Sequence, residues 1–284
     1  MDERFLTLFT PTYNRVHTLH RVYESICNQT LQKKNGEYLF EWIVVDDGST
    51  DETEALIERW KTESEFPIIY IRQENRGKAA AALRAIPIAR GELFLFADSD
   101  DRFVPETVET FYDLWMGLTA EERKRCDGIG VLCQDQHGNR IGNDYPIVGR
   151  LVPTEEAVFK WRKLGLGETW AVLKTDNLRK SFVIPEEARG LRFIPESFFW
   201  SRIAFEAGNL SLFCNKILRI YYREGASLST DIRDRYPESF FFESKWFVTH
   251  YPRVLFKQPG LYLKHLLKYL YYSFKVNRTI KTIF

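Results

Sequence analysis

The sequence predicts an α/β protein with an open, mainly parallel sheet flanked by helices and a C-terminal helical extension. Short apolar segments alternate with helical patterns four times in the first 118 residues. Each of these apolar segments ends abruptly in polar or charged residues. Because strands that alternate with helices are joined by right-handed crossovers, we expect the four strands to run parallel. Apolar residues at helical spacing after Glu243 predict the extension.

The first four strands are each predicted from a short apolar run bounded by turn-forming residues. They are Phe5–Phe9, Trp42–Val45, Pro67–Ile71 and Leu93–Ala97. Apolar residues three and four positions apart predict the intervening helices, which are Leu19–Ile26, Asp51–Trp60, Ala79–Ala89 and one after Pro105. Asp51 is expected to cap the second helix with Glu54 as its capping-box partner, and Pro87 to end the third early.

The pattern is looser after Asp127. Three more strands are predicted, at Gly128–Cys133, Trp170–Leu173 and Ile217–Tyr222. Two helices are predicted at Glu155–Lys163 and Phe198–Ala207, and residues 134–150 are expected to form a loop. We therefore predict one domain over residues 1–235, with halves at 1–118 and 119–235, and a separate tail over 236–284.

Composition narrows the classes of protein. Hydrophobic residues make up 44% and charged residues 28% of the chain, which is typical of a globular protein. The four cysteines never form a CxxC pair, which argues against a zinc site and favours a reducing cytoplasm. The N-terminus shows no signal-peptide core. No apolar stretch reaches the ~18 residues that a membrane span needs.

Charge is distributed unevenly along the chain. Eight Lys and Arg residues follow Glu243, which is the last acidic residue. The first 243 residues carry 32 basic against 39 acidic side chains, a net charge of −7. An acidic body with a basic tail indicates a partner for the tail. A nucleic-acid partner is not expected, because the body has no excess of basic residues.

Polar residues follow all four of the first strands. These tips are Thr10–Arg15, Asp46–Asp51, Gln73–Lys78 and Asp98–Asp101. Ligands of an open parallel sheet bind beyond the carboxyl ends of its strands. A single polar segment after a strand does not indicate a binding site, but four such segments at one edge of a sheet do predict one.

The tip Asp98–Asp101 carries three carboxylates within four residues. These repel one another unless they are solvated or share a cation. Residues i and i+2 of an extended turn point the same way, so Asp98 and Asp100 can face one ion. Carboxylate oxygens suit Mg²⁺ or Mn²⁺, which take further ligands from water and substrate phosphates. The alternative is a solvated acidic turn that caps the next helix.

The other three tips fit a nucleotide. Asp47 can accept hydrogen bonds from a base or a ribose, and Tyr13 offers a flat ring to a base. Lys78, with Arg76, can lie near a diphosphate. Each has a plainer alternative, which is a strand-to-helix turn for Asp47, packing at the edge of the core for Tyr13 and a solvated loop for Lys78.

Together, the motifs of the four tips resemble those of the family 2 glycosyltransferases with the GT-A (Rossmann-like) fold. They are Thr10–Arg15, Val44–Asp51, Asn75–Lys78 and Gly91–Asp101. The resemblance is dense over residues 4–118 and thins out towards 230. It implies a nucleotide-diphospho-sugar donor, most commonly a UDP-sugar, with Mg²⁺ or Mn²⁺ and inversion at the anomeric carbon. Residues 1–118 would form the nucleotide-binding half and 119–235 the acceptor and catalytic half.

The resemblance also implies roles for single residues at the nucleotide. It places Pro11 and Tyr13 at the base, Asp47 at the base or ribose, and Lys78 near the nucleotide. Arg223 lies in a segment similar to the family's late Tyr-Arg…Ser-Leu-Ser motif and is expected to reach the diphosphate.

Metal and catalytic roles follow from the same resemblance. Asp98 and Asp100 occupy the metal-binding positions of the family's DxD motif, and Asp98 is also implied at the ribose. Glu196 aligns with the general base of the family, although Pro195 stands where a glutamate is common.

The implied reaction moves a sugar to a hydroxyl group of a glycan or lipid-linked acceptor, in the synthesis of cell-surface polysaccharide or lipid-linked glycans. Two other function classes stay open at this point. One is a non-catalytic protein that binds sugar nucleotides. The other is a sugar nucleotidyltransferase, but these enzymes usually carry a glycine-rich loop after the first strand, and Thr10–Arg15 has no glycine.

The basic tail, residues 244–284, leaves two alternatives. Leucines and Phe274 recur at helical spacing among Lys264, Lys268 and Lys275. Such a helix can lie in an anionic membrane surface, or pack on the domain with its lysines in water. The first alternative predicts a cytoplasmic protein held peripherally at the inner face of the plasma membrane.

Overall fold

A mixed ten-stranded sheet forms the centre of the first of two compact units. The computed structural model describes residues 4–157, 161–206, 210–222 and 232–283, with the backbone alone for 162–163 and 277–283. The first unit consists of the described parts of Met1–Phe182 and Ala207–Arg223. The second consists of those of Val183–Glu206 and Glu224–Phe284.

The strands all belong to the first unit. They are β1 (Arg4–Thr12), β2 (Lys33–Lys34), β3 (Glu37–Tyr38), β4 (Phe40–Asp46), β5 (Ile68–Arg72), β6 (Gly91–Phe96), β7 (Arg102–Phe103), β8 (Cys126–Asp135), β9 (Arg140–Ile141), β10 (Val152–Pro153), β11 (Thr169–Lys174) and β12 (Leu210–Tyr221). The sheet order is β10-β12-β8-β11-β6-β1-β4-β5, with β7 beside β12 and β9 beside β8. β2 and β3 form a separate two-stranded sheet.

Helices occur in both units. In the first unit they are α1 (His20–Cys27), α2 (Thr53–Glu63), α3 (Lys78–Ile88), α4 (Thr107–Met116), α5 (Ala120–Arg125) and α6 (Thr175–Ser181). In the second they are α7 (Glu196–Glu206), α8 (Ile232–Arg235), α9 (Pro237–His250), α10 (Val254–Lys257) and α11 (Pro259–Ile283).

The four strands predicted first do run parallel. β1 pairs with β4 and β6, and β4 pairs with β5. β1 and β4 are buried almost throughout, which explains why the predicted segments Phe5–Phe9 and Trp42–Val45 are mainly apolar. In the register of the sheet, Thr12 lies beside Asp46, and Asp46 beside Arg72. The carboxyl ends of these strands therefore meet at one edge.

The other half of the sheet is mixed. β11 runs antiparallel to both β6 and β8, whereas β12 is parallel to β8. A Cβ atom at Gly128 would stand 2.0 Å from the carbonyl oxygen of Val172, so glycine is required where β8 approaches β11. The predicted α/β class is confirmed, with a sheet whose first half is entirely parallel and whose second half is mixed.

Some local expectations differ. Glu54 forms an ion pair with Arg72 at 3.0 Å and not a capping box with Asp51. α3 continues through Pro87, because a proline so close to the end of a helix disturbs only its last turn. The helix predicted over residues 155–163 includes residues 158–160, which lie outside the described parts of the chain.

Aromatic packing holds the second unit together. Phe198 of α7 packs against Phe242 and Trp246 of α9, with ring centroids 5.1 and 5.5 Å apart. Tyr272 of α11 stacks on Phe240 of α9 at 5.7 Å. The predicted domain boundary at residue 235 lies inside the second unit. The reason is that α7, before this boundary, buries its aromatic side chains against α9, which follows it.

The lengths of the helices and the state of the cysteines bear on the class of the protein. Among the described residues, every helix is too short or too polar to cross a membrane. All four cysteines are free thiols.

Candidate functional site

Hydrogen bonds join the loops that follow β1 and β4. The backbone N–H of Asn14 donates to Ser49 Oγ (2.8 Å), and that of Thr50 donates to Asn14 Oδ1 (2.7 Å). Asn14 has a φ angle of +52°, a left-handed conformation that asparagine adopts more readily than most residues. Tyr13, next to it, is 47% exposed. The first two tips therefore form one surface with an accessible aromatic ring.

Asp47 joins the second loop to the third. Its buried carboxylate accepts hydrogen bonds from Gln73 Nε2 (2.7 Å) and from the backbone N–H groups of Arg76 and Gly77 (both 2.8 Å). Gly77 is the N-cap of α3, and its φ of +84° suits glycine. Asp47 thereby fixes the loop from which α3 begins, and Lys78 is the first residue of that helix.

Two cations bind the carboxylate of Asp98. Lys78 Nζ lies 2.7 Å from Oδ1, and Nη2 of Arg219, on β12, lies 2.8 Å from Oδ2. Burial alone would raise the pKa of Asp98, but Lys78 and Arg219 lower it below its usual value. Asp98 is therefore ionised, with a cation on each oxygen, and it connects the third and fourth loops.

Asp100 connects the fourth loop back to the first. Arg15 Nη2 lies 3.5 Å from the carboxylate of Asp100, and the Asp100 side chain is 36% exposed. Arg21 donates to the backbone oxygen of Asp100 (2.9 Å), and Thr18 Oγ1 donates to that of Ser99 (3.0 Å). The four loops thus form a closed set of contacts at one edge of the sheet.

Arg219, on β12, binds the fourth loop, Asp98–Asp101, which is called the acidic loop below. It is 5% exposed, and its guanidinium donates to Asp101 through Nε (2.8 Å) and Nη2. Nη1 lies 3.5 Å from Glu168. Burial raises the pKa of Asp101 to about 6, and the attraction of Arg219 opposes that rise. The planar guanidinium of an arginine suits this position, because its several N–H donors can contact the carboxylates of Asp98 and Asp101 at once.

The acidic loop can hold a divalent cation through Asp100. Both oxygens of Asp98 and both of Asp101 accept hydrogen bonds within the chain, those of Asp101 from Arg219 and from the backbone N–H of Tyr222. No group of three His, Cys, Asp or Glu in the described residues is placed to hold a metal by itself. The residues therefore fit an ion that Asp100 binds and that substrate phosphates and water complete.

The other predicted site residues lie in different parts of the chain. Pro11 is half-buried in β1, beside Val45 of β4. Glu196 is the half-buried first residue of α7, in the second unit. Arg223 lies outside the described residues. Arg219 was not predicted, although a single arginine inside the apolar segment Ile217–Tyr222 is a sequence signal for a buried ion pair.

The substitution Arg219→Met is expected to lower the free energy of unfolding by about 3–5 kcal/mol, because it leaves the Asp98 and Asp101 carboxylates without their shared partner. Urea unfolding followed by tryptophan fluorescence measures this loss. Arg59→Met is the matched control, since Arg59 makes an exposed pair with Glu63 at 3.7 Å that contributes about 0–1 kcal/mol. Equal losses for the two variants would contradict a structural role for Arg219.

Comparison with known proteins gives a family match over part of the chain and a fold. Residues 7–119 match the family described as Glycosyl transferase family 2. The poly(ribitol-phosphate) beta-glucosyltransferase of Bacillus spizizenii is 33% identical over 131 residues, which are 44% of this chain and 20% of that protein. The chain therefore spans a fifth of the length of that relative. The cholesterol galactosyltransferase of Borreliella burgdorferi is 23% identical over 281 residues, covering 93% of this chain and 73% of that protein.

The fold is shared with a protein of known structure. The crystal structure of S. aureus TarS 1-349 in complex with UDP-GlcNAc superposes with a TM-score of 0.64 at 20% identity, over 86% of this chain and 67% of that one. The family match spans the four strand-end motifs, and these relatives are named as glycosyltransferases. The resemblance drawn from the sequence is therefore confirmed for residues 7–119, which match the family 2 glycosyltransferases, and the predicted GT-A fold is confirmed by the shared structure.

Proposed function

We propose that this protein is an inverting glycosyltransferase that moves a sugar from a nucleotide-diphospho-sugar, preferentially a UDP-sugar, to a hydroxyl acceptor. The observation that carries the proposal is the closed set of contacts among the four strand-end loops. These contacts bring Tyr13, Asp47, Lys78 and the Asp98/Asp100 pair to one edge of the sheet. Such an edge is where α/β folds bind nucleotides.

The nucleoside is assigned to the first and second loops. The exposed ring of Tyr13 can stack on a base, and Pro11 lies two residues before it. Asp47 is assigned to the base or ribose, and its bonds to the loop before α3 hold its carboxylate in one orientation. A UDP-GlcNAc complex of a protein with the same fold supports the choice of a UDP-sugar.

The diphosphate is assigned to the fourth loop. Four carboxylates, of Asp98, Asp100, Asp101 and Glu168, lie among four cations there, so this cluster has no surplus of positive charge to neutralise the donor's diphosphate; the cations are Arg15, Arg21, Lys78 and Arg219. A divalent cation is therefore expected with the donor. Mg²⁺ or Mn²⁺ at Asp100, beside Asp98, would stabilise the charge of the leaving diphosphate as a Lewis acid.

Two basic residues are assigned to the phosphate oxygens, Lys78 at the start of α3 and Arg223 after β12. Lys78 is 37% exposed, so its ammonium group can contact a ligand as well as Asp98. Fixed positive charges near the diphosphate stabilise the transition state more than the ground state. Negative charge accumulates on the diphosphate as its bond to the sugar breaks.

Glu196 is assigned as the general base. The acceptor hydroxyl must lose its proton as it attacks, which requires a positioned carboxylate. Glu196 opens α7 directly after Pro195. The acceptor oxygen attacks the anomeric carbon from the side opposite to the diphosphate. The new C–O bond forms as the bond between the anomeric carbon and the diphosphate oxygen breaks, which inverts the configuration at that carbon.

For the acceptor, we propose the hydroxyl group of a cell-surface polysaccharide or of a lipid-linked glycan. The names of the two relatives point to a ribitol-phosphate polymer as acceptor in one and to a lipid, cholesterol, in the other. A lipid-linked acceptor would place the enzyme in the cytoplasm, at the inner face of the plasma membrane.

A panel of sugar nucleotides tests the proposal. Calorimetry of the full chain with UDP-Glc, UDP-Gal, UDP-GlcNAc and GDP-Man is expected to detect tight binding of one donor in the presence of MnCl₂ and much weaker binding in EDTA. That donor should also be hydrolysed slowly to sugar and nucleoside diphosphate. Binding without hydrolysis or transfer would instead indicate a non-catalytic binding protein. Release of pyrophosphate from a nucleoside triphosphate and a sugar 1-phosphate would indicate a nucleotidyltransferase.

A further inference from the structure

The long helix α11 has two apolar faces. One face covers α9, where Tyr262 OH donates to the backbone oxygen of Val248 (3.2 Å) and His265 stacks on Phe247 at 3.8 Å. The opposite face exposes four side chains at positions i, i+4, i+7 and i+11. They are Leu263, Leu267, Leu270 and Phe274, with 49%, 67%, 56% and 63% of their surface in solvent. This exposed stripe is about 16 Å long.

A groove of about 490 Å³ runs beside the exposed stripe. Its lining includes three apolar and three basic side chains: Leu263, Leu267 and Tyr271, with Arg233, Lys264 and Lys268. Cations next to exposed leucines suit a ligand that is itself amphipathic, with an anionic group at one end and a hydrocarbon portion at the other.

The basic side chains of the groove lie near one buried carboxylate. This carboxylate is that of Glu243, which is 3% exposed and accepts a hydrogen bond from Ser197 Oγ. Burial raises the pKa of Glu243, and the three basic residues of the groove oppose that rise. Asp234, the residue after Arg233, is paired with Lys275. The lining of the groove is therefore basic, and the sequence adds no acidic residue after Glu243.

We propose that this face of α11 is a membrane-contact surface, on which the exposed stripe enters the interface of an anionic bilayer and the groove binds the phosphate of a phospholipid headgroup. The helix would lie in the plane of the membrane, as basic amphipathic helices do. Charge favours a bilayer over a second copy of this chain, because two such faces would bring the same cations together. The proposal does not depend on the donor chemistry of the first unit.

Cosedimentation of the full chain with vesicles tests the proposal. Vesicles of phosphatidylcholine with phosphatidylglycerol are expected to bind the chain at least about tenfold more tightly than vesicles of phosphatidylcholine alone. The double variant Leu267→Gln, Phe274→Gln should lower the partition coefficient by at least about tenfold, because two exposed apolar side chains no longer enter the interface. Lys264→Gln should lower it about fivefold, and high salt should reduce this second effect.

Matched variants in the first unit serve as controls. Val148→Gln changes an apolar side chain that is 46% exposed, and Lys124→Gln a lysine that is 75% exposed. Both should bind vesicles as the unmodified chain does. Unchanged unfolding midpoints would show that the α11 variants keep their fold. Equal binding to neutral vesicles, or full binding by the double variant, would overturn the proposal. So would self-association in buffer that the same variants abolish, without any vesicle binding.

Discussion

Asp100→Asn is expected to lower kcat for sugar transfer by about 10²–10³-fold, the largest effect of any substitution in the acidic loop that keeps the fold intact. Among the three aspartates of that loop, Asp100 has the least engaged carboxylate, since Arg15 lies 3.5 Å from it whereas both oxygens of Asp98 and of Asp101 accept hydrogen bonds. The amide keeps the shape of the side chain and removes its charge. Steady-state transfer assays over a range of Mn²⁺ concentrations measure the effect.

Binding measurements separate loss of the cation from loss of the fold. Asp100→Asn should abolish the increase in donor affinity that Mn²⁺ produces, while the unfolding midpoint changes little because the side chain is 36% exposed. Asp113→Asn, an exposed aspartate on α4, is the matched control and should retain full activity. Full activity of Asp100→Asn at every Mn²⁺ concentration would refute a metal role for this residue.

Glu196→Gln is expected to lower kcat by about 10²–10⁴-fold with little change in donor affinity. The glutamine side chain has nearly the same volume but cannot take the proton of the acceptor hydroxyl. The nucleotide is assigned to loops of the first unit, whereas Glu196 opens α7 in the second. Transfer rates and donor titration by calorimetry therefore report on different residues.

A nearby glutamate provides the control for this experiment. Glu187 is exposed and also belongs to the second unit, so Glu187→Gln should leave both transfer and binding unchanged. A Glu196→Gln variant with undiminished kcat would show that another residue is the base. A parallel loss of donor affinity would instead assign Glu196 to the donor.

The first four strands and their polar ends could be predicted because their signals are local. Phe5–Phe9 and Trp42–Val45 are mainly apolar, and Asp46 and Asp98 mark where two of the strands end. Hydropathy and turn-forming residues are enough to place such segments. Parallel pairing then brings the four ends to one edge, so the location of the candidate site followed from the order of the strands.

The partners of the charged residues could not be predicted in the same way. Asp98 and Arg219 are 121 residues apart in sequence, and their contact depends on β12 lying beside β8 and β7. The antiparallel course of β11 also depends on pairing with strands distant in sequence. No periodicity within a short window contains this information, because such contacts form only when the sheet is assembled.

The sequence by itself determined the α/β class, the four strand-end motifs and the amphipathic basic character of the tail, since each depends on residues close together in the chain. Tertiary structure alone decided which carboxylates are already paired, leaving Asp100 the most open to a cation. It also decided that α7 packs with α9, and that α11 covers α9 with one face while exposing another. These features depend on which side chains remain in solvent once distant segments pack together, and burial is a property of the folded chain as a whole.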